Sequence, residues 1–204
     1  MDSLEFEKKI LLVGDGAVGK TSLVRKFVID KFDDKYIMTI GTKTSRKEMT
    51  FEFPEQNKKI LIQLAIWDIL GQQEGFSRAH EVYFKGAESF IAVFDRTKRE
   101  SFTNVSQWIE TVRRLCGPIP GIIAANKSDL ADEFKVEAAE AQTLADATQL
   151  SVLNTSAKTG QNVEEAFKEI GAGMAQIILT NYADGKRPTR GDKGDAKKGR
   201  FGRK

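Results

Sequence analysis

One stretch constrains the rest of the chain: Lys9-Ile10-Leu11-Leu12-Val13-Gly14-Asp15-Gly16-Ala17-Val18-Gly19-Lys20-Thr21-Ser22. An apolar run ends at Gly14, four residues lead to Gly19-Lys20-Thr21, and a helical pattern (Leu23, Val24, Phe27, Val28) follows. This is the strand–GxxxxGK[ST]–helix arrangement of a phosphate-binding loop. Glycines let backbone N–H groups converge on phosphate oxygens without a Cβ in the way. The helix start adds unpaired N–H groups and the positive end of its dipole. Lys20 is placed to reach β- and γ-phosphates, and the Thr21 hydroxyl to ligate Mg²⁺. By accident the bare pattern arises in roughly one chain of this size in a hundred, and correct flanks make it rarer. The chain reads as a nucleotide-binding protein.

Beyond this loop, strand and helix patterns alternate, as in a mainly parallel sheet covered on both faces. Strands are expected near residues 5–13, 43–53, 59–67, 89–95, 122–125 and 151–155. Helices are expected near 19–29, 81–85, 100–116, 136–148 and 162–181. The second and third strands form a hairpin around Pro54-Glu55-Gln56-Asn57, with Ile60, Ile62, Leu64 and Ile66 on one face. Trp108 and the helical apolar stripes read as core. Ordered structure should stop near Tyr182, giving a domain over 1–182 and a disordered basic tail over 183–204.

Composition excludes several chemistries. The lone Cys116 leaves no intramolecular disulfide and no cysteine cluster for zinc. The single histidine, His80, excludes a multi-histidine metal site. The first residues are acidic and run directly into a strand pattern, so no signal peptide is expected, and no apolar run approaches a membrane span. A cytoplasmic protein is expected. The net charge of +3 is unevenly placed: the last 22 residues hold nine Lys/Arg against three Asp. Taken from totals of 32 basic and 29 acidic residues, that leaves 23 and 26 in the body. The domain is mildly acidic and the tail carries the basic character.

Ligands on such sheets bind at the carboxyl ends of the strands, where the other unusual residues fall. Trp67-Asp68-Ile69-Leu70-Gly71-Gln72 follows the third strand. An acid there suits the outer shell of Mg²⁺, and the glycine N–H suits a γ-phosphate. Asn126-Lys127-Ser128-Asp129 follows the fifth strand. Its carboxylate can accept two hydrogen bonds from guanine, from the ring N–H and the exocyclic amine. Adenine does not offer both donors, which disfavours an ATP-using enzyme.

With Thr155-Ser156-Ala157-Lys158 after the sixth strand, these residues resemble the Ras superfamily of small GTPases, from Lys9 to about Tyr182. The segments Tyr36-Ile37-Met38-Thr39-Ile40-Gly41, Tyr83-Phe84-Lys85-Gly86-Ala87 and Asp95-Arg96-Thr97 with Ser101-Phe102 are most similar to Rab proteins. The resemblance implies an α/β fold: a single P-loop G domain with a six-stranded, mostly parallel sheet and helices on both faces. It implies that Gly14, Asp15, Gly16, Ala17, Val18, Gly19, Lys20, Thr21 and Ser22 wrap the phosphates, with Gly16 small enough for hydrolysis. Phe32 would pack on the base and Tyr36 cover the γ-phosphate. Thr39 would bind Mg²⁺ and γ-phosphate in the GTP state only. Thr21 and Asp68 complete the metal site, and Gly71 senses the γ-phosphate. Gln72 would orient the attacking water, with Lys20 and Thr39 assisting catalysis. Asn126, Lys127 and Asp129 would read guanine, beside Ser156, Ala157 and Lys158. Loss of the γ-phosphate would release the switch segments 30–41 and 69–80, which would meet activating proteins, exchange factors and effectors.

Four departures from the Rab pattern qualify this. Thr42-Lys43-Thr44 stands where Rabs carry an apolar–acidic–aromatic triplet, so effector recognition should differ. The second switch is one residue longer, and Gln73 competes with Gln72 for the water-positioning role. The hairpin between the switches is several residues longer. The tail lacks a cysteine for prenylation, and no glycine follows Met1 for myristoylation, so no lipid anchor is expected. Weak contact with anionic membranes through the basic tail remains open, as does a simple solvated tail; no specific nucleic acid is expected. Arg78 reads as a partner contact rather than a catalytic finger. The leading reading is a slow GTP hydrolase; the alternative is a guanine-nucleotide-binding interaction module with negligible hydrolysis.

Overall fold

The computed structural model describes residues 1–32, 42–71 and 81–183. Six strands form one sheet in the order β2-β3-β1-β4-β5-β6. They are β1 (Asp2–Val13), β2 (Thr42–Phe53), β3 (Lys58–Ile69), β4 (Ser89–Asp95), β5 (Gly121–Asn126) and β6 (Ser151–Asn154). Among the described residues only the β2–β3 pairing is antiparallel; β1 pairs in parallel with both β3 and β4. Four helices accompany them among the described residues: α1 (Lys20–Ile29), α2 (Arg99–Cys116), α3 (Ala138–Thr148) and α4 (Val163–Ala183). The expected α/β class is borne out.

Alternation along the strands divides the core in two. Ile10, Leu12, Ile60, Ile62, Leu64, Ile66, Ile91 and Val93 point toward α1 and α4. Phe27 of α1 and Phe167 of α4 stack with ring centroids 4.0 Å apart, a contact worth about 1 kcal/mol beyond area burial. Leu11, Val13, Ala92, Phe94, Ile123 and Ala125 face α2 and α3 instead. On α2, Val105, Trp108, Ile109 and Val112 recur at helical spacing and are buried there. Trp108 is a core residue, as its spacing predicts.

The long hairpin is regular from Thr42 opposite Ile69 to Phe53 opposite Lys58. Its turn is a single 3-10 turn, Pro54–Gln56, followed by Asn57 in the left-handed region. Two boundaries differ from expectation. The third helix starts at Ala138 rather than 136, because Glu137 and Glu140 form a reciprocal cap at its entrance. Of the helix expected near 81–85, Glu81 is helical and 82–86 form a run of turns, with Phe84 N–H bonded to Glu81 O and Ala87 N–H to Phe84 O. Phe84 and Ala87 are both buried and lie three residues apart, a spacing that successive i→i+3 bonds satisfy. Among the described residues, no helix is long and apolar enough to cross a membrane.

Candidate nucleotide site

Strand order reverses at β1, which has β3 on one side and β4 on the other. That reversal opens the crevice in which open α/β sheets take ligands. The 14–19 loop leaves β1 at this point and enters α1 through Gly19, which has no side-chain cap. Gly19 thus brings no side chain to compete with an anion at the start of α1.

Lys20 lies across the loop, its Nζ donating to Gly14 O and Asp15 O, both at 2.7 Å. Its side chain is only 6% exposed. Burial pulls its pKa down to about 8, with Asp68 and Asp15 pulling the other way. The Thr21 hydroxyl donates to the Asp68 carboxylate, which is buried at the end of β3. A hydroxyl and a carboxylate converging here form a hard oxygen donor set, which fits Mg²⁺.

Gly71 presses against this loop. A Cβ at Gly71 would lie 2.4 Å from the carbonyl carbon and oxygen of Asp15 and 2.5 Å from Gly16 N. Only glycine allows so close an approach. Gly16 has more room among the described residues: there its Cβ would meet only Gly71 O, at 3.8 Å.

Three loops are tied together over the other side of the site. Asn126 Nδ2 donates to Val18 O at 2.8 Å, and Thr155 Oγ1 donates to Asn126 Oδ1 at 3.2 Å. Ser156 Oγ donates to Asp129 Oδ1 at 2.6 Å. Ser128 N–H donates to Thr155 O. Lys127 takes a left-handed backbone and places its ammonium 2.6 Å from the buried Asp95 carboxylate. That carboxylate also accepts from Thr97 N–H and Oγ1. Ala157 is buried and Lys158 exposed.

The structure therefore gathers residues 14–22, Asp68, Gly71, Asn126, Lys127, Asp129, Ser156, Ala157 and Lys158 at one end of the sheet. Phe32 is 36% exposed just after α1. Tyr36, Thr39, Gln72 and Gln73 lie outside the described residues, as do Arg78, His80 and the tail from 184.

Three contacts around the site escape sequence reasoning. Asp95 anchors Lys127; in the sequence it stands out only as part of the Asp95-Arg96-Thr97 segment. Arg96 stacks on Phe134 at 3.6 Å and donates to Val136 O and Asn154 Oδ1, bracing the segments behind the base-side loops. Burial lowers the pKa of its guanidinium, with Glu137 opposing. The side chain of Asp15 turns from the phosphate side to α2, where Asn104 Nδ2 and Trp108 Nε1 each donate to it at 2.8 Å.

Thr44 sits opposite Trp67 in the hairpin register. Trp67 contacts Tyr83, and Lys9 places its ammonium 3.7 Å from the Trp67 ring centroid.

Fold and loops together define a P-loop α/β protein built to hold a nucleotide. The model of the Ras family matches residues 9–176. "Ras-related protein Rab-1D" of Dictyostelium discoideum is 36% identical over 194 residues, spanning 95% of this chain and 90% of that protein. "GTP-binding protein ypt1" of Schizosaccharomyces pombe is 39% identical over 174 residues, spanning 85% and 82%. "Ras-related protein RABD2b" of Arabidopsis thaliana is 36% identical over 181 residues, spanning 88% and 86%. The chain belongs to the Ras family and is a Rab-like small GTPase.

Proposed function

We propose that this GTPase is a Mg²⁺-dependent switch of trafficking type that binds GTP and GDP and hydrolyses GTP slowly. The observation that carries the reading is the joining of phosphate loop and base loop through Asn126 and Val18, with Asp129 held by Ser156. Phosphates and base would thus be grasped by one connected frame.

In this reading the N–H groups of 14–19 and the start of α1 hold the phosphates. Lys20 moves from the Gly14 and Asp15 carbonyls toward the β/γ oxygens, where its positive charge opposes the charge that develops during transfer. Thr21, Asp68 and, in the GTP state, Thr39 would hold Mg²⁺, which neutralises β- and γ-oxygens when bound. Gln72 orients the attacking water, with Gln73 the competing candidate; Tyr36 covers the γ-phosphate. Phe32 flanks the base. No arginine within these sequence motifs reads as a catalytic finger, so turnover would be slow and a partner would accelerate it. A GDP complex stripped of Mg²⁺ by chelation is expected to release nucleotide at least tenfold faster than the intact complex, followed with a fluorescent GDP.

Asp129→Asn is expected to lower GTP affinity by about a hundredfold or more and raise that for xanthosine triphosphate. The asparagine oxygen still accepts from Ser156, but its amide now donates where guanine also donates. Competition binding reads the swap; unchanged GTP selectivity would show that another residue reads the base.

The domain is assigned to 1–182, the tail to 183–204. Activating proteins, exchange factors and effectors would engage 30–41 and 69–80. Thr44, not an aromatic residue, stands opposite Trp67 in the hairpin, so effectors should not be shared with typical Rabs. The nine basic tail residues would attract anionic membranes at about 1 kcal/mol per residue brought near, a weak peripheral contact for a cytoplasmic protein.

A further inference from the structure

We propose that Asp15 is a positioning residue through which α2 sets the shape of the phosphate loop, so that Asn104 and Trp108 govern how long nucleotide stays bound. The inference rests on the nucleotide reading above. A carboxylate in a loop that must wrap a polyanion is electrostatically misplaced unless it is turned away and its charge is occupied. Both conditions are met here. Each Asp15 oxygen accepts one hydrogen bond at 2.8 Å, Oδ2 from Asn104 Nδ2 and Oδ1 from Trp108 Nε1. The donors sit four residues apart on α2, hence on one face one turn apart. Val105, Ile109 and Val112 fix that helix in the core, and Trp108 is itself buried. The donors are therefore rigid, and bonds to a charged acceptor are the stronger kind.

The same residue has two further attachments on its backbone. Its carbonyl accepts from Lys20 Nζ at 2.7 Å. Its peptide link to Gly16 is the surface on which Gly71 packs. Asp15 thus joins α2, the phosphate-binding lysine and the start of the second switch segment. Freed from α2, the carboxylate would swing toward the phosphates, and the carbonyl that steadies Lys20 would move with it.

The test is the release rate of a fluorescent GDP analogue from the full-length Mg²⁺ complex, with melting temperature recorded alongside. Trp108→Phe keeps the aromatic packing and removes the donor; Asn104→Ala removes the other donor from a half-buried site. Each is expected to speed release about five- to tenfold. In an Asp15→Ala background, where no carboxylate is left to swing, neither should speed it by more than about twofold. The same factor in both backgrounds would mean that α2 acts by packing alone and would overturn the proposal, as would unchanged release in the single variants. If Trp108→Phe fails to fold, Asn104→Ala carries the same comparison. A wild type that holds no GDP analogue would instead overturn the nucleotide reading, and the clamp with it.

Discussion

Lys20→Met is expected to weaken GDP binding by at least a hundredfold while leaving the nucleotide-free protein as stable as wild type or slightly more so. Lys20 is an ammonium kept in a buried site, and its pKa falls from 10.5 to about 8. A depressed lysine pKa means that the folded protein holds the proton less well than the unfolded chain. The associated stability is present above pH 10.5 and lost as pH falls toward 8. At pH 7 the full penalty therefore stands, about 3 kcal/mol. Methionine removes it, while Gly14 O and Asp15 O lose their donor at a cost of about 1 kcal/mol each. Bound phosphates would restore the lysine's counter-charge, so wild type should gain stability with GDP and the variant should not. The sign for pH follows. Phosphate raises the Lys20 pKa, so binding takes up a proton once the free protein has lost it. GDP affinity should hold steady to about pH 8 and then decline toward a tenfold loss per unit. Melting curves and titration calorimetry with and without GDP between pH 7 and 9.5 check both statements. A nucleotide-free Lys20→Met protein that melts far below wild type would show that the lysine serves the fold.

Gly19→Ala is expected to damage stability and binding together. Gly19 has φ +100, and an added Cβ would lie 2.3 Å from Asn126 Nδ2. The backbone strain costs a side-chain-bearing residue about 1–3 kcal/mol. Displacing Asn126 also breaks its bond to Val18 O, for about 1 kcal/mol more. A combined loss near 3 kcal/mol corresponds to a melting temperature lower by about 6–12 °C in a domain of this size. Nucleotide release should quicken more than tenfold, because the lost contact joins the phosphate loop to the base loop. Gly173→Ala, in the interior of α4 with nothing among the described residues within 4 Å of its Cβ, should raise stability by about 0.5–1 kcal/mol without affecting release. Calorimetric melting and fluorescent GDP release distinguish the two glycines.

These glycines show what the sequence makes legible. The phosphate loop, the acid at the end of β3 and the two base-side motifs could be read because each is a short run whose spacing has a mechanical reason. The strand patterns were legible for the same reason: Ile60 to Ile66 alternate because one face is buried. What escaped depends on chain distance. Asp15 and Trp108 are 93 residues apart, and nothing local says that an indole marked as core also donates to the phosphate loop. Arg96 entered only as part of the Asp95-Arg96-Thr97 segment, and nothing local says that it is buried against Phe134. The turn region 82–86 resembled a helix because two buried residues three apart suit both i→i+3 turns and a helical face.

Single-turnover hydrolysis of bound GTP in Mg²⁺, comparing wild type with Gln72→Leu and Gln73→Leu, tests the central claim most directly. Wild type should convert GTP to GDP slowly, Gln73→Leu should do so at a similar rate, and Gln72→Leu should stop. Loss confined to Gln73→Leu would move the water-positioning role by one residue along the longer second switch. Bound GTP that wild type leaves intact, with no partner able to speed its loss, would contradict the hydrolytic switch and leave a nucleotide-binding interaction module in its place.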